Sequence, residues 1–348
     1  MLVLLVALVF TSCDGDGAAL DVGARVDSPV RPVRELAFWG LAPAEAIGIV
    51  RIGESGPGRR RFLRIADVRR FFVDRVAWSP DGRRLAFTGE SGPGYTETDV
   101  WTVTSDGGRL RRGTRTGDAL WPVWAPDGRS IVYARLEDPL PNPDGSPDYS
   151  SSLWAIDPDG ANPRRLTNPA PGVTERPWSF APDGSQLAIT RARLAALERR
   201  AAKTRVVLVN LDGSGERVLS GTGTDPAFSP DGSRIAYASA RDRNGTLDYG
   251  DLPSIATELY VMDADGSDRR RLTRTRRVDE LAPSWSPDGK TLAYTRGRPY
   301  QNAEIYSIWQ ISPDGSCPEV LLPGKPRGNW YASPVWRPGR RAPEGLRC

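Results

Sequence analysis

The sequence predicts an all-β fold: a six-bladed β-propeller with four antiparallel strands per blade, its ring closed by N- and C-terminal strands sharing one blade. Three observations predict it. A Pro-Asp-Gly turn, with an aromatic residue two positions before the proline, recurs along the chain. An Asp-Gly turn follows each full copy. The composition, with 36 glycines, 31 prolines and 11 tryptophans in 348 residues, suits many short strands joined by tight turns.

The first turn stands at Trp78 with Pro80, Trp124 with Pro126, Phe180 with Pro182, Phe228 with Pro230 and Trp285 with Pro287. A degenerate sixth pairs Trp336 with Pro338 and Gly339. Proline presets φ for the turn and glycine supplies its left-handed position. A second strand follows in every full copy: Leu85-Ala86-Phe87, Ile131-Val132-Tyr133, Leu187-Ala188-Ile189, Ile235-Ala236-Tyr237 and Leu292-Ala293-Tyr294. Other Pro-Asp-Gly strings, at Pro143, Pro158 and Pro313, lack the aromatic and fall out of register.

The second hairpin turns at Asp106-Gly107, Asp159-Gly160, Asp212-Gly213, Asp265-Gly266 and Asp314-Gly315, a strong hairpin signal between apolar runs. Its leading strands include Leu259-Tyr260-Val261-Met262 and Ile308-Trp309-Gln310-Ile311. Copies tend to close on Leu-Thr, as at Leu166-Thr167 and Leu272-Thr273. Each copy is therefore one four-stranded blade. The last half-copy ends after Trp336, and Arg34 to Phe38 reads as the strand that follows it. Strands near Ile47 to Ile52 and Phe62 to Ile65 complete that blade, so the ring takes one strand from the C-terminus and three from the N-terminus. Closure removes exposed sheet edges.

The aromatic-Ser-Pro-Asp-Gly, Leu-Ala-Tyr, Asp-Gly, Leu-Thr pattern resembles the PD40 (WD40-like) repeats of TolB-type six-bladed propellers, over residues 32 to 339. The resemblance implies the fold; function stays open, because propellers host many functions. TolB also has an N-terminal α/β domain, for which residues before 32 leave no room. The expectation is the propeller and not TolB's part in the Tol–Pal envelope system.

Residues 1 to 13 read as an export leader. Leu2 to Phe10 are all apolar, too few to span a membrane but suited to the core of a secretory signal. Thr11-Ser12-Cys13 resembles the lipobox of bacterial lipoproteins, with Cys13 as the lipidated residue and Phe10 departing from the usual leucine. An ordinary signal peptide with an incidental cysteine is the alternative. Residues 14 to 31 would be a flexible tether and 340 to 348 a C-terminal tail. The expected location is outside the cytoplasm, in a bacterial cell envelope: membrane-anchored, periplasmic or extracellular. There Cys317 and Cys348 could form a disulfide or remain free thiols.

Composition narrows the chemistry. The chain has no histidine, which excludes Ser-His-Asp and Cys-His catalysis and histidine-bound metals. The net charge is only +4, and the arginines are scattered among 43 acids, so nucleic acid is not an expected partner. Prolyl-oligopeptidase-like peptidases also carry such propellers, but their hydrolase domain needs a histidine.

Two faces follow from the topology. The short turns occupy one. Variable loops near 88 to 97, 135 to 151, 191 to 204, 239 to 256 and 296 to 304 open on the other, where binding usually sits. Asp144, Asp148 and Tyr149, with Asp248, Tyr249 and Asp251, are the candidate contacts on that loop face. Calcium is the one cofactor their oxygens suggest, without EF-hand spacing; otherwise no cofactor or metal is expected. Leu194, Leu197 and Ala201 fall at helical spacing, predicting a short amphipathic helix. Asp74, Trp121, Glu175, Arg176, Asp225, Glu280 and Tyr331 precede or open the first strands and are expected to ring the channel mouth on the loop face. They would bind a ligand there or be buried pairs that close the channel.

Two functions compete. One is a non-enzymatic scaffold for an envelope protein or peptide, held at the membrane through lipid on Cys13. The other is a carbohydrate- or peptide-processing enzyme working with carboxylates at the channel mouth, which requires a compact cluster of acids with raised pKa values.

Overall fold

The computed structural model describes residues 34–41, 45–53, 56–63, 75–90, 97–137, 140–141, 147–148, 150–193, 203–212, 214–248, 253–300, 303–325 and 330–339. They form six four-stranded antiparallel sheets and no helix. Blade 1 is the closing blade: Trp330–Trp336 pairs with Arg34–Leu41, which continues into Glu45–Gly53 and Gly56–Leu63. Blade 2 runs Val76–Trp78, Arg84–Glu90, Thr98–Thr104 and Arg111–Arg112. Blade 3 runs Ala119–Trp124, Ile131–Leu136, Ser151–Ile156 and Arg164–Arg165. Blade 4 runs Val173–Phe180, Gln186–Arg193, Lys203–Asn210 and Arg217–Ser220. Blade 5 runs Thr224–Phe228, Arg234–Ser239, Glu258–Asp263 and Arg270–Arg271. Blade 6 runs Asp279–Trp285, Leu292–Tyr300, Ala303–Ile311 and Glu319–Leu322. The predicted closure is present, one strand from the C-terminus and three from the N-terminus.

The apolar core lies in the seams between blades. Side chains alternate across a strand, so the second strand serves two seams at once. In blade 2, Leu85 and Phe87 face blade 1 and pack with Ile47 and Ile49. Ala86, between them, faces blade 3, where its small size admits Trp124. The Leu-Ala-aromatic triplet is thus a packing rule: large toward one neighbour, small toward the other. Arginine joins tryptophan at several seams: Arg84 stacks on Trp124 at 4.8 Å, Arg234 on Trp285 at 4.9 Å and Arg337 on Trp78 at 5.2 Å.

A second device is polar. The residue three positions before the inner-strand aromatic takes left-handed φ at Trp121, Asp225, Ala282 and Ser333. Each sits at a bulge, which turns its N–H sideways toward the preceding blade. Thr88 accepts from Trp121 at 3.0 Å, Thr190 from Asp225 at 3.0 Å and Thr295 from Ser333 at 2.8 Å. These threonines follow the second-strand triplet. Blade 3 has Ala134 there, and its successor blade presents Pro177, which has no N–H to satisfy. Blade 5 has Ala238, and the Ala282 amide is taken instead by Asp225 Oδ2 at 2.9 Å.

The closing threonine is equally specific. Thr114, Thr167 and Thr273 hydroxyls accept the third-strand amides of Val100, Leu153 and Leu259. Arginines two residues earlier donate back to the threonine carbonyls, Arg112 at 3.1 Å, Arg165 at 2.8 Å and Arg271 at 2.8 Å. The Arg-Arg pairs are outer strands clamped to their blades.

Two expectations change in detail. The expected loop 296 to 304 is mostly paired strand, its ladder reaching Tyr300 and Ala303. The loops 135 to 151 and 239 to 256 contain small ribbons, Leu140–Pro141 with Pro147–Asp148 and Thr246–Asp248 with Pro253–Ile255. Ile65, expected as a strand end, lies outside the described residues. In each loop, extended backbone satisfies its N–H and C=O groups by continuing or adding a ladder. The helix expected around Leu194 lies outside the described residues.

Replacing Thr190 by valine should leave the buried Asp225 amide without an acceptor. The expected loss is about 1–3 kcal/mol in urea unfolding. Ala134→Val, opposite Pro177, removes no hydrogen bond and serves as the comparison.

Candidate functional site

The axial cavity is formed by the inner strands. It measures about 410 Å³, within the usual range for ligand sites. Three tiers line it. The residues just before the inner-strand aromatic, Ala77, Val123, Ser179, Ala227, Ser284 and Val335, form a narrow tier of small side chains. Outside them come Trp78, Trp124, Phe180, Phe228, Trp285 and Trp336. Pro80, Pro126, Pro182, Pro230 and Pro338 form the rim. These prolines belong to the Pro-Asp-Gly turns, so the cavity is flared toward the short-turn face. A second cavity adjoins it there and shares Pro126 and Pro182, with Asp127 and Asp183 beside them.

The rim is stiff. Within Ser-Pro-Asp-Gly, the Ser79, Ser229 and Ser286 hydroxyls donate to Asp81, Asp231 and Asp288 at 2.6, 2.6 and 2.5 Å. The serine bond is the main reason the Asp231 carboxyl is held down at about 2. At the opposite end, Arg75 reaches beyond the adjacent blade to donate to the Pro177 and Trp178 carbonyls. Its guanidinium lies 4.4 Å from the centre of the Trp178 ring. Among the described residues, Arg75 is the only ionisable side chain lining the cavity.

The predicted channel-mouth residues are distributed over several seams. Glu175, fully buried, receives the Thr167 hydroxyl and two donors of Arg191, at 2.9 and 2.6 Å. Arg176 lies over Trp121 at 3.9 Å. Asp225 accepts the Ala282 amide and the Thr224 hydroxyl. Glu280 is fully buried between blades 5 and 6, with Arg296 at 3.9 Å. Tyr331 is buried edge-on against Phe38, at 5.3 Å. Asp74 lies outside the described residues.

The bulges explain why Glu175 and Glu280 are not in the cavity. By strict alternation they would share the face of Ser179 and Ser284, four residues further on. The register shifts between Pro177 and Ser179, and between Leu281 and Ser284, reverse that parity and turn both acids into seams.

On the loop face, Asp148 is paired backbone in one ribbon and Asp248 in the other. Asp144, Tyr149, Tyr249 and Asp251 lie outside the described residues, as do Cys13 and Cys348. Cys317 is disulfide-bonded. No cluster of three or more acidic or cysteine side chains with metal-binding geometry occurs among the described residues.

The sequence reading missed the cavity wall itself. Its signal is present: the residue before the repeat aromatic is alanine, valine or serine in all six copies. Only a small side chain fits where six strands converge.

Six antiparallel blades around a flared, aromatic-walled axial cavity define a β-propeller of the closed-ring type. The model of the TolB β-propeller domain, PD40, matches residues 142–341, and the chain belongs to that family. An uncharacterized protein of Agrobacterium fabrum is 26% identical over 229 residues, covering 64% of this chain and 69% of that protein. Dipeptidyl-peptidase 5 of Porphyromonas endodontalis is 34% identical over 122 residues, covering 34% of this chain but 16% of that enzyme. The crystal structure of TolB from Acinetobacter baumannii superposes with a TM-score of 0.62 at 19% identity, covering 88% of this chain and 67% of that one.

Glu175→Ala should cost about 1–3 kcal/mol in chemical unfolding, because it removes the buried acceptor shared by Thr167 and Arg191, which keeps only its exposed partner Glu216. Asp183→Ala, on the exposed rim, should shift the unfolding midpoint negligibly.

Proposed function

We propose that the chain is a non-catalytic scaffold that binds a protein or peptide, with the axial cavity and its proline rim as the principal contact surface. The carrying observation is the cavity wall: small residues, tryptophan, phenylalanine and proline, with Arg75 as the lone ionisable group among the described residues. Aromatic anchors in a concave, water-excluding site are where binding energy concentrates. General acid–base chemistry needs a proton donor and acceptor facing one substrate. Glu175, Asp225 and Glu280 are instead turned into seams. Membership of the TolB propeller family supports a protein-recognition role, and the apolar leader with Cys13 supports one outside the cytoplasm, where the partner would be another envelope protein.

The test compares wild type with two variants in capture from envelope extract. In Ala227→Glu, a carboxylate enters the narrow tier. In the other, residues 135–151 and 239–256 are replaced by glycine-serine turns. Retention should fall at least about tenfold in Ala227→Glu, equivalent to about 1.4 kcal/mol, and persist in the loop variant. Loss confined to the loop variant places binding on the opposite face. Turnover of a glycan or peptide panel, abolished by Glu280→Gln, would establish the enzyme reading instead.

A further inference from the structure

Buried acids recur near the blade seams, and they are unequally paired. Asp99 receives the Thr114 hydroxyl at 2.6 Å, Arg112 Nε at 3.0 Å and the Thr116 amide at 3.1 Å. Glu175 receives the Thr167 hydroxyl and a two-donor arginine. Glu280 is just as buried, yet neither of its carboxylate oxygens has a hydrogen-bond partner. Its cation, Arg296 Nε, stands 3.9 Å away.

Glu280 is tied into the seam through its backbone. Its N–H donates to the Thr257 carbonyl of blade 5 at 3.1 Å, and its carbonyl accepts the Thr257 hydroxyl at 3.2 Å. The same hydroxyl reaches Asp279 at 2.9 Å. Two residues on, the Ala282 amide bonds Asp225 of blade 5. Opening here would break cross-seam bonds that no other strand replaces.

The charged and titratable surroundings are mixed. The second strand of blade 6 contributes Arg296 and Tyr294, whose buried hydroxyl also has no hydrogen-bond partner. Blade 5 contributes Glu258 and Tyr260 from its third strand, Arg271 from its outer strand, Asp225 from its inner strand and Arg234 from its second. Arg271 is committed to Glu258 and Asp242, and Arg234 to the Trp285 face. Blade 1 adds Tyr331, packed on Phe38. Glu280 itself follows Asp279. The Thr273 and Thr275 hydroxyls and Arg296 favour its charged form, against the repulsion of Glu258.

We propose that Glu280 is a proton-operated latch: protonated, it holds blades 5 and 6 together, and ionised, it loosens that seam. The neutral acid is compatible with its dry surroundings. The carboxylate, lacking a hydrogen bond, gains solvation only when the seam opens. Burial dominates and raises its pKa to about 7, against the lowering effects of the nearby Thr273 hydroxyl and Arg296. The sign follows. A raised acid value means the folded state binds the proton more tightly, so its stabilisation is complete below the ordinary value of 4.5 and is lost as pH rises through about 7. The latch concerns seam stability, and it does not depend on what the cavity binds.

The test is amide hydrogen exchange on the full chain at pH 6 and pH 8, with rates normalised to intrinsic exchange. In wild type, opening of residues 279–297 should increase about tenfold from pH 6 to pH 8, while residues 175–191 hold constant. In Glu280→Gln the increase should vanish. An equal increase in both proteins, or none in wild type, overturns the proposal. Carboxyl ¹³C titration of wild type gives a reading independent of any variant's folding: a Glu280 midpoint near 7 is expected, and one at the ordinary carboxylate value overturns it.

Discussion

The ring depends on one hydrogen bond more than on any other feature: the inner-strand amide that a bulge turns out of its own sheet and into the blade behind it. A four-stranded sheet satisfies its own amides, and apolar packing alone does not fix the angle between neighbours. A directed N–H does. At Trp121, Asp225, Ala282 and Ser333 the chain accepts a left-handed φ on a residue other than glycine to make that bond. The cost is offset by the bond to a threonine hydroxyl, or at Ala282 to the Asp225 carboxylate, which keeps the turned-out amide from being buried unpaired.

That constraint also shapes the cavity. The bulge reverses side-chain parity within each inner strand that contains it. Below it, small residues face the axis; above it, residues such as Glu175 and Glu280 face the seams. The axis thus has an apolar collar toward the short turns, while the acids serve as interblade ties. Glu175 and Glu280 are buried in the seams, and the cavity wall is assembled from alanine, serine, valine and the repeat aromatic.

The architecture was legible in the sequence because its determinants are local and repeated. Pro-Asp-Gly, Leu-Ala-aromatic and Asp-Gly each encode a turn or a packing alternation within a few residues, and six registered copies leave one arrangement that closes. The matching of Ala134 with Pro177, and of Thr190 with the Asp225 amide, was not legible. Each pairs residues about 35–45 positions apart through geometry that exists only once the blades are docked. The turn of Glu175 and Glu280 into the seams was not legible for the same reason: alternation can be read from sequence, but a one-residue bulge that reverses it cannot.

Repetition with variation at the seams has a consequence for how the molecule yields. In an ideal ring of equal blades, thermal opening would be shared among six joints. Here seam 3/4 has the fully bonded Glu175 and a proline that needs no amide acceptor, whereas seam 5/6 lacks the usual threonine at Ala238, relies on Asp225 in its place, and buries Glu280 without a hydrogen bond. A closed ring strained at one joint concentrates its motion there, because the other joints remain cooperative units of higher stability. Ala282 and Trp285 belong both to this joint and to the cavity wall. A ligand seated against them would therefore bias the joint toward closure, and the protonation state of Glu280 would bias the wall in return, since two sites acting on one element are thermodynamically reciprocal.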